Sequence, residues 1–413
     1  MATFAPVSER PAVLGGTPIR SGKHWPRWPQ WDDSERAALI AVLDDGGWWT
    51  GSGKVAQQFA TDFAHYHSAR AGLPFTNGTH TIEAALAACD IGEGDEVLVP
   101  AFTFVATATA VIAVNAIPVL VDIEPDSLNI DVDAAATAIT DRTRAIIAVH
   151  VAGAACDLDR LVELCAQREL HLIEDCAHAH GTFWRGRGAG SFGSFGSFSM
   201  QRSKLITAGE GGVLVGDDDA LFARVWSYWN CGRVEGEHWY HHASYGSNLR
   251  MTEWQGAVLG AQLARFPEQN RIRNERATAL NDAIARIPGL RPQARDPRMD
   301  TQGNYCWVMH YDSTEFADLP LHAFEAALAA EGIPLDVSYP ALHRVAMFHD
   351  NAFEPRWRVP RRDYAAVSCP RAEHAASSTV WMEHRVLLAN VDDVLDVARA
   401  CGRIQAHAAE IPQ

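Results

Sequence analysis

LIEDCAHAHG, residues 172–181, reads as a short apolar strand ending in two adjacent carboxylates, Glu174 and Asp175. It lies within a run from about 70 to 217 where apolar stretches alternate with helical ones. Residues 97–100, 118–122, 145–151 and 171–175 read as buried strands, with helices expected at about 80–90, 104–114, 131–139 and 157–168. That rhythm predicts an α/β fold with a mostly parallel sheet, right-handed connections and helices on both faces. Downstream, SFGSFGSFS (191–199) alternates Ser or Gly with Phe and is expected to be one strand of period two. Residues 212–216 continue as another.

Outside this run the chain changes character. Residues 1–30 are rich in Pro, Gly and Trp and read as an extended arm pinned by Trp25, Trp28 and Trp31. Asp32-Asp33-Ser34-Glu35 opens a helix through about Leu43, its acidic first turn suiting the positive end of the helix dipole. GGWWTGSG (46–53) is a loop, and residues 54–68 form the next helix. After the sheet come helices at about 218–229 and 251–287, a strand at 304–311, a helix at 321–331 and a final helix at about 391–408. The expected organisation is an N-terminal arm (1–30), a large domain (31–270) and a smaller C-terminal α/β domain (271–413). The boundary falls near 266–290, inside or just after a long connecting helix.

The chain has 413 residues, 47% hydrophobic and 21% charged, a globular balance long enough for two packed domains. Its formal charge of −16 repels phosphate backbones and anionic lipid, so nucleic-acid and membrane-surface roles are not expected. An anionic ligand must then be met by a local basic or amide-lined pocket. No apolar run approaches the ~18 residues of a spanning helix, and the N-terminus lacks the cationic start and apolar core of a signal peptide. Eight scattered cysteines without a C-x-x-C pair suit reduced thiols in a cytoplasmic protein. GAGSFG (188–193) has dinucleotide spacing but runs into the Phe alternation instead of a helix. GSGK (51–54) has Trp48 where a phosphate loop needs its leading Gly, and Val55 in place of the Ser/Thr. HWYHH (238–242) lacks clustered Cys or carboxylate partners and reads as a solvated loop, so no metal site is expected. There is no G-x-S-x-G elbow.

Three features remain. Glu174-Asp175 sits at the carboxyl edge of a parallel sheet, where ligands of such sheets gather; in isolation the pair would serve as a helix cap or ion pair. SFSMQRSKLITAGEGG (197–212) places Lys204 just past a strand, flanked by Ser199 and a Gly-rich run that lets backbone approach a ligand closely. A lone lysine is ordinarily a solvated charge, but a buried one can have the depressed pKa that a Schiff-base amine requires. PFTNGTHTIEAAL (74–86) is a strand-to-helix turn whose Asn77-Gly78-Thr79 opens a helix. Its free N–H groups form a phosphate cup, or Thr79 is a plain N-cap.

Together these stretches resemble the fold-type I pyridoxal-phosphate enzymes and, more narrowly, the sugar aminotransferases of the DegT/DnrJ/EryC/StrS family. The resemblance runs from LGGTP (14–18) to CPRAEH (369–374), and the motif S-F-S-x-Q-x-x-K-x-x-x-x-G-E-G-G carries it. It implies a seven-stranded, mostly parallel sheet and pyridoxal 5′-phosphate as cofactor. It further implies that Lys204 carries the cofactor as a Schiff base and then moves the substrate's proton. Asp175 would pair with the pyridine nitrogen and keep it protonated. Gly78, Thr79 and Ser199 match the phosphate-binding positions. Phe104, in PAFTFVATA (100–108), matches the aromatic on the ring face, a core phenylalanine being the alternative. His178 stands where many members have Gln, at the position that contacts the cofactor hydroxyl. Asn248, in YGSNLRMTEWQGA (245–257), matches an asparagine that reaches the phosphate of the neighbouring subunit, implying a homodimer with shared sites.

Lys204 disfavours the family branch that dehydrates ketosugars, which carries histidine there. The nearer similarity is to the cyclitol branch, which includes the L-glutamine:2-deoxy-scyllo-inosose aminotransferases, and to the 3-amino-5-hydroxybenzoate synthases. The implied activity moves an amino group from L-glutamine or L-glutamate to a keto-cyclitol or ketosugar in aminoglycoside-type antibiotic biosynthesis. The alternative is dehydration and aromatisation at the same lysine site. A non-catalytic pyridoxal-binding regulator is disfavoured by the intact lysine and the lack of a DNA-binding module. Arg344 and Arg385 are considered for the donor carboxylate, and neither is assigned.

Overall fold

Runs such as EVLVP and IPVLV are apolar on both faces of a strand, and that requires a sheet covered on both sides. In the computed structural model, which describes residues 9–350 and 362–412, they are two of seven strands in one sheet. These are β1 Ala71–Phe75, β2 Glu96–Pro100, β3 Ile117–Val121, β4 Thr143–Val149, β5 His171–Asp175, β6 Phe195–Ser199 and β7 Gly212–Gly216. Their order is β1-β7-β6-β5-β4-β2-β3. β7 runs antiparallel to both neighbours, and the remaining adjacent pairs are parallel. Alternation divides the strands between two cores: Val97, Val99 and Ile147 face one layer, while Leu98, Ile146 and Ala148 face the other.

The helices that precede, cross and follow the sheet are α1 Asp33–Asp45, α2 Val55–Tyr66, α3 Gly78–Ala88, α4 Ala106–Ala113, α5 Val132–Ala138, α6 Leu158–Arg168, α7 Asp219–Trp229 and α8 Glu253–Ile284. Asp32 caps α1 in a capping box with Glu35, so the acidic start is a hydrogen-bonded stop as well as a favourable charge. A second, four-stranded sheet follows α8: β8 Leu290–Pro292, β9 Cys306–Tyr311, β10 Leu335–Asp336 and β11 Thr379–Glu383, in the order β8-β9-β11-β10. With α9 Leu321–Ala330 and α11 Val391–Ala406 it encloses a further core that includes Leu280, Ile284, Met309, Phe324 and Val397. The helix between, α10 Pro370–Ser378, packs on the first core through Ala372 and Ala375.

The arm is held at two of its three tryptophans. Trp25 Nε1 donates to Gly332 O at 2.7 Å and Trp28 Nε1 to Arg202 O at 3.2 Å, whereas Trp31 is 65% exposed with the Arg36 guanidinium over its ring at 5.8 Å. Among the described residues, no helix is long and apolar enough to cross a membrane, and all eight cysteines are free.

One expected strand is shorter than its alternation predicts. β6 starts at Phe195, not at Ser191, because residues 190–193 turn inward to serve a buried carboxylate. Glu174, fully buried, accepts N–H groups from Gly190 (2.8 Å), Phe192 (2.7 Å) and Gly193 (2.9 Å) and faces His150 Nε2 at 3.1 Å. Burial acts to raise its pKa, but the His150 bond and the backbone donors outweigh it and hold the carboxyl below the usual range. Replacing Glu174 by Ala would strand two buried donors, the Gly190 N–H and His150 Nε2, at roughly 1–3 kcal/mol each, and two part-buried ones at Phe192 and Gly193. A Glu174→Ala chain is therefore expected to lose about 3 kcal/mol or more in urea unfolding, and a loss under about 1 kcal/mol would show that water replaces the carboxylate.

Candidate active site

Strand alternation sends Asp175 to the opposite face from Glu174. There it joins a cavity of about 640 Å³ at the carboxyl edge of the sheet, lined by residues that include Gly78, Thr79, Phe104, His178, Ser199 and Lys204. Seven of the eight residues singled out from the sequence are thus brought to one cavity. Asn248 is not among them: it is exposed and forms an isolated bridge with Asn230.

The floor is polar and rigid. Thr107 Oγ1 donates to Asp175 Oδ2 at 2.8 Å, Thr103 stands 3.0 Å behind Thr107, and the Ala177 N–H reaches Asp175 Oδ1 at 3.1 Å. Burial raises the Asp175 carboxyl above its usual range, opposed by these hydrogen bonds and by the Lys204 charge.

One wall is the start of α3. Asn77 caps it, accepting the His80 N–H at 2.9 Å, so the cap is Asn77 and not Thr79. The N–H groups of Gly78 and Thr79 belong to the first turn and have no intrahelical acceptor. A Cβ on Gly78 would stand 2.7 Å from Ser199 Cβ, so only glycine lets the helix start and the end of β6 share this corner. The Gly-rich run after Lys204 is used in a related way: a Cβ on Gly212 would meet the Asn77 carbonyl carbon at 2.6 Å. The close approach is to the backbone of the helix start.

Lys204, one of three lysines in the chain, is half-buried, its Nζ 4.1 Å from the Tyr305 ring centroid. Burial brings its amine down from the ordinary value to about 8, with Asp175 acting in the opposite sense. Its loop is braced from distant parts of the chain. Ser203 Oγ meets Tyr305 Oη at 2.8 Å, His384 Nε2 donates to Ser203 O at 3.1 Å, and Trp28 of the arm grips Arg202 O.

His178 stacks on Tyr305 with centroids 4.1 Å apart and meets Tyr339 Oη through Nε2 at 3.0 Å. Burial, reinforced by the nearby Lys204 charge, holds its pKa well below the ordinary value, so the ring is neutral. Phe104 is 55% exposed at the cavity and is not a core residue; Phe102 fills that role. Arg344 and Arg385 pair with Glu373 and Glu383 and do not line the cavity.

A helix start rich in free amides, a carboxylate held in fixed orientation and an amine that is partly neutral near pH 8 suit a flat cofactor carrying a phosphate and a basic ring nitrogen. A model of the DegT/DnrJ/EryC1/StrS aminotransferase family matches residues 29–401. The chain belongs to that family. Among its relatives, the 3-amino-5-hydroxybenzoate synthase of Amycolatopsis mediterranei (strain S699) is 37% identical over 376 residues, 90% of this chain and 94% of that one. The L-glutamine:2-deoxy-scyllo-inosose aminotransferase of Micromonospora echinospora is 36% identical over 421 residues, 97% and 99%. The crystal structure of 3-amino-5-hydroxybenzoic acid synthase superposes with a TM-score of 0.85 at 36% identity, covering 94% of this chain and 99% of that one. The fold is that of the fold-type I transferases, and the chain is an enzyme of the aminotransferase class.

Sequence reasoning missed Thr107, Tyr305, Asp336 and Tyr339, all of which line the cavity. Thr107 had a local signal, since it follows β2 on the same carboxyl edge as Phe104; the other three lie more than 100 residues beyond Asp175 and carry no motif. The depressed Lys204 amine is directly testable in cofactor-free protein. Its acetylation rate, followed by peptide mass spectrometry, should be half-maximal near pH 8, against ~10.4 for an unperturbed lysine. Asp175→Asn should move that midpoint lower, because the carboxylate favours the ammonium. A Lys204 midpoint at 10 or above would mean the amine is solvated.

Proposed function

We propose that the enzyme uses pyridoxal 5′-phosphate to move an amino group from L-glutamine or L-glutamate to a keto-cyclitol or ketosugar, in aminoglycoside-type antibiotic biosynthesis. The observation that carries the reading is the half-buried Lys204 amine, brought down to about 8 and electrostatically coupled to Asp175, in the cavity headed by the start of α3. The residues fit the cofactor: Gly78, Thr79 and Ser199 would hold the phosphate, Asp175 the ring nitrogen and Lys204 the aldehyde carbon. When bound, that cofactor supplies an aldehyde for amines to condense with and a ring that takes up the electrons left by a departing proton.

Each protein group then has a defined task. With the cofactor bound, Lys204 Nζ would take the proton from the donor's α-carbon and, in the second half of the cycle, would deliver a proton to the acceptor carbon. Asp175, fixed by Thr107 and Ala177, would hold a proton on the ring nitrogen and so keep the ring an electron sink. The walls of Tyr305, His178 and Tyr339 limit water around Lys204 Nζ.

The test is direct. Cofactor-loaded protein with L-glutamine and scyllo-inosose should yield the aminated cyclitol by mass spectrometry. Lys204→Ala should abolish turnover, and Asp175→Ala should lower it by about a hundredfold or more. Failure of the wild-type chain with a panel of amino donors and cyclic ketones would overturn the reading. The 37% identity to a 3-amino-5-hydroxybenzoate synthase favours a second one, dehydration and aromatisation of an aminoketocyclohexene carboxylate at the same lysine. That reaction needs no amino donor, so an ultraviolet-absorbing aromatic amine formed without donor would select it.

The same reading includes a cytoplasmic homodimer, the location supported by the eight free cysteines. The dimer is supported by Asn248 standing exposed outside its own cavity and by the exposed aromatics Trp48, Trp49, Trp239 and Tyr245. Mixing inactive Lys204→Ala and Asn248→Ala chains tests it. If Asn248 acts in trans, the heterodimer carries one site with both lesions and one with neither, and activity should return towards one wild-type site per dimer. No recovery despite proven subunit exchange, with Asn248→Ala itself impaired, would confine each site to one chain.

A further inference from the structure

We propose that Asp336 and Tyr339 form a donor–acceptor pair that reads ring hydroxyls on the amino acceptor; the inference rests on the aminotransferase reading above and specifies how its substrate class is chosen. Both residues line the same cavity as Lys204, at the end of edge strand β10.

The direction of the Tyr339 hydrogen follows from its neighbours. His178 Nδ1 accepts the Ala152 N–H at 3.3 Å, so in a neutral ring the single proton must sit on Nε2. Nε2 lies 3.0 Å from Tyr339 Oη and therefore donates to it. The Tyr339 oxygen is an acceptor in that bond, and its own hydrogen has no acceptor among the described residues. Burial holds the Tyr339 pKa well above the ordinary value, so this hydrogen stays in place at working pH and is offered to a ligand oxygen.

Asp336 supplies the opposite character. Its Oδ1 accepts the Val337 N–H at 2.9 Å and its Oδ2 faces the Cys306 thiol at 3.4 Å. Among the described residues it makes no salt bridge, the Lys204 charge acting on it only at longer range, and a carboxylate has roughly four acceptor positions. The remaining positions can take a ligand O–H.

A saturated ring with neighbouring hydroxyls presents both complements, one oxygen to accept from Tyr339 and one O–H to donate to Asp336. The surroundings suit such a ring. Trp381 meets Tyr339 edge-on with centroids 5.2 Å apart, giving an apolar wall for the C–H face. Val337, 83% exposed, stands at the rim. A site built to hydrogen-bond hydroxyls discriminates strongly when one partner is removed, because the other is left unpaired.

The probe is scyllo-inositol, which carries the ring hydroxyls and no ketone, titrated calorimetrically into cofactor-loaded protein. Asp336→Asn and Tyr339→Phe should each weaken its binding about tenfold. Each should also lower kcat/KM for scyllo-inosose with L-glutamine by a similar factor, mostly through KM. Thermal melts check folding, and Tyr339→Phe, which removes a single oxygen, decides the matter if Asp336→Asn does not fold. Wild-type protein that fails to bind scyllo-inositol, or variants that bind it within twofold of wild type, would overturn the pair. If wild type aminates scyllo-inosose and the variants match it, the pair falls and the aminotransferase reading stands. If inositol binding is present and variant-sensitive but no donor supports transfer, the pair stands and that reading falls.

Discussion

A strand that ends in two carboxylates must send one to each face of its sheet. In β5 that constraint places Glu174 among the backbone amides of 190–193 and Asp175 in the cavity. The buried carboxylate would be a heavy desolvation penalty if unpaired; four donors offset it and tie the loop leading into β6 to the strand that carries the site. β6 pairs with β5 through Ile173–Phe195, Glu174–Gly196 and Asp175–Ser197, so its end, Ser199, arrives beside Gly78. The structural carboxylate thereby sets the register on which the site is built.

Lys204 lies outside regular structure, and its position is imposed from outside. Tyr305 from β9's approach, His384 from after β11 and Trp28 from the N-terminal arm converge on Arg202 and Ser203. Trp28 in turn sits edge-on to His384 with centroids 4.5 Å apart. Both ends of the chain thus hold the loop, a useful arrangement where a misplacement of about 1 Å can cost a hundredfold in rate.

The chain's charge of −16 says little about its site. Phosphate recognition at a helix start comes from amide dipoles, which carry no net charge and are invisible to a residue count. The Lys204 cation is weakened by burial more than the nearby carboxylates strengthen it. An acidic protein can in this way hold an anionic cofactor locally while its surface repels phosphate polymers.

By itself the sequence determined whatever depends on local period and local capping. The apolar runs of β2 to β5, the helix opening at Asn77-Gly78-Thr79 and the Lys204 motif were all legible, because residues close in sequence decide them. The alternation in SFGSFGSFS was legible too, yet its first half became a turn, since the nearest unsatisfied carboxylate lay on another strand. Trp31 had the same composition signal as Trp25 and Trp28, and only the packing showed that two of the three find carbonyl partners. Which of Glu174 and Asp175 faces the cavity, and that Tyr305, Asp336, Tyr339 and Trp381 complete it, was decided by tertiary structure alone. Those residues reach Lys204 across more than 100 positions through the pairing of β9, β10 and β11, and no local spacing encodes a contact made by strands that meet only after the chain has folded.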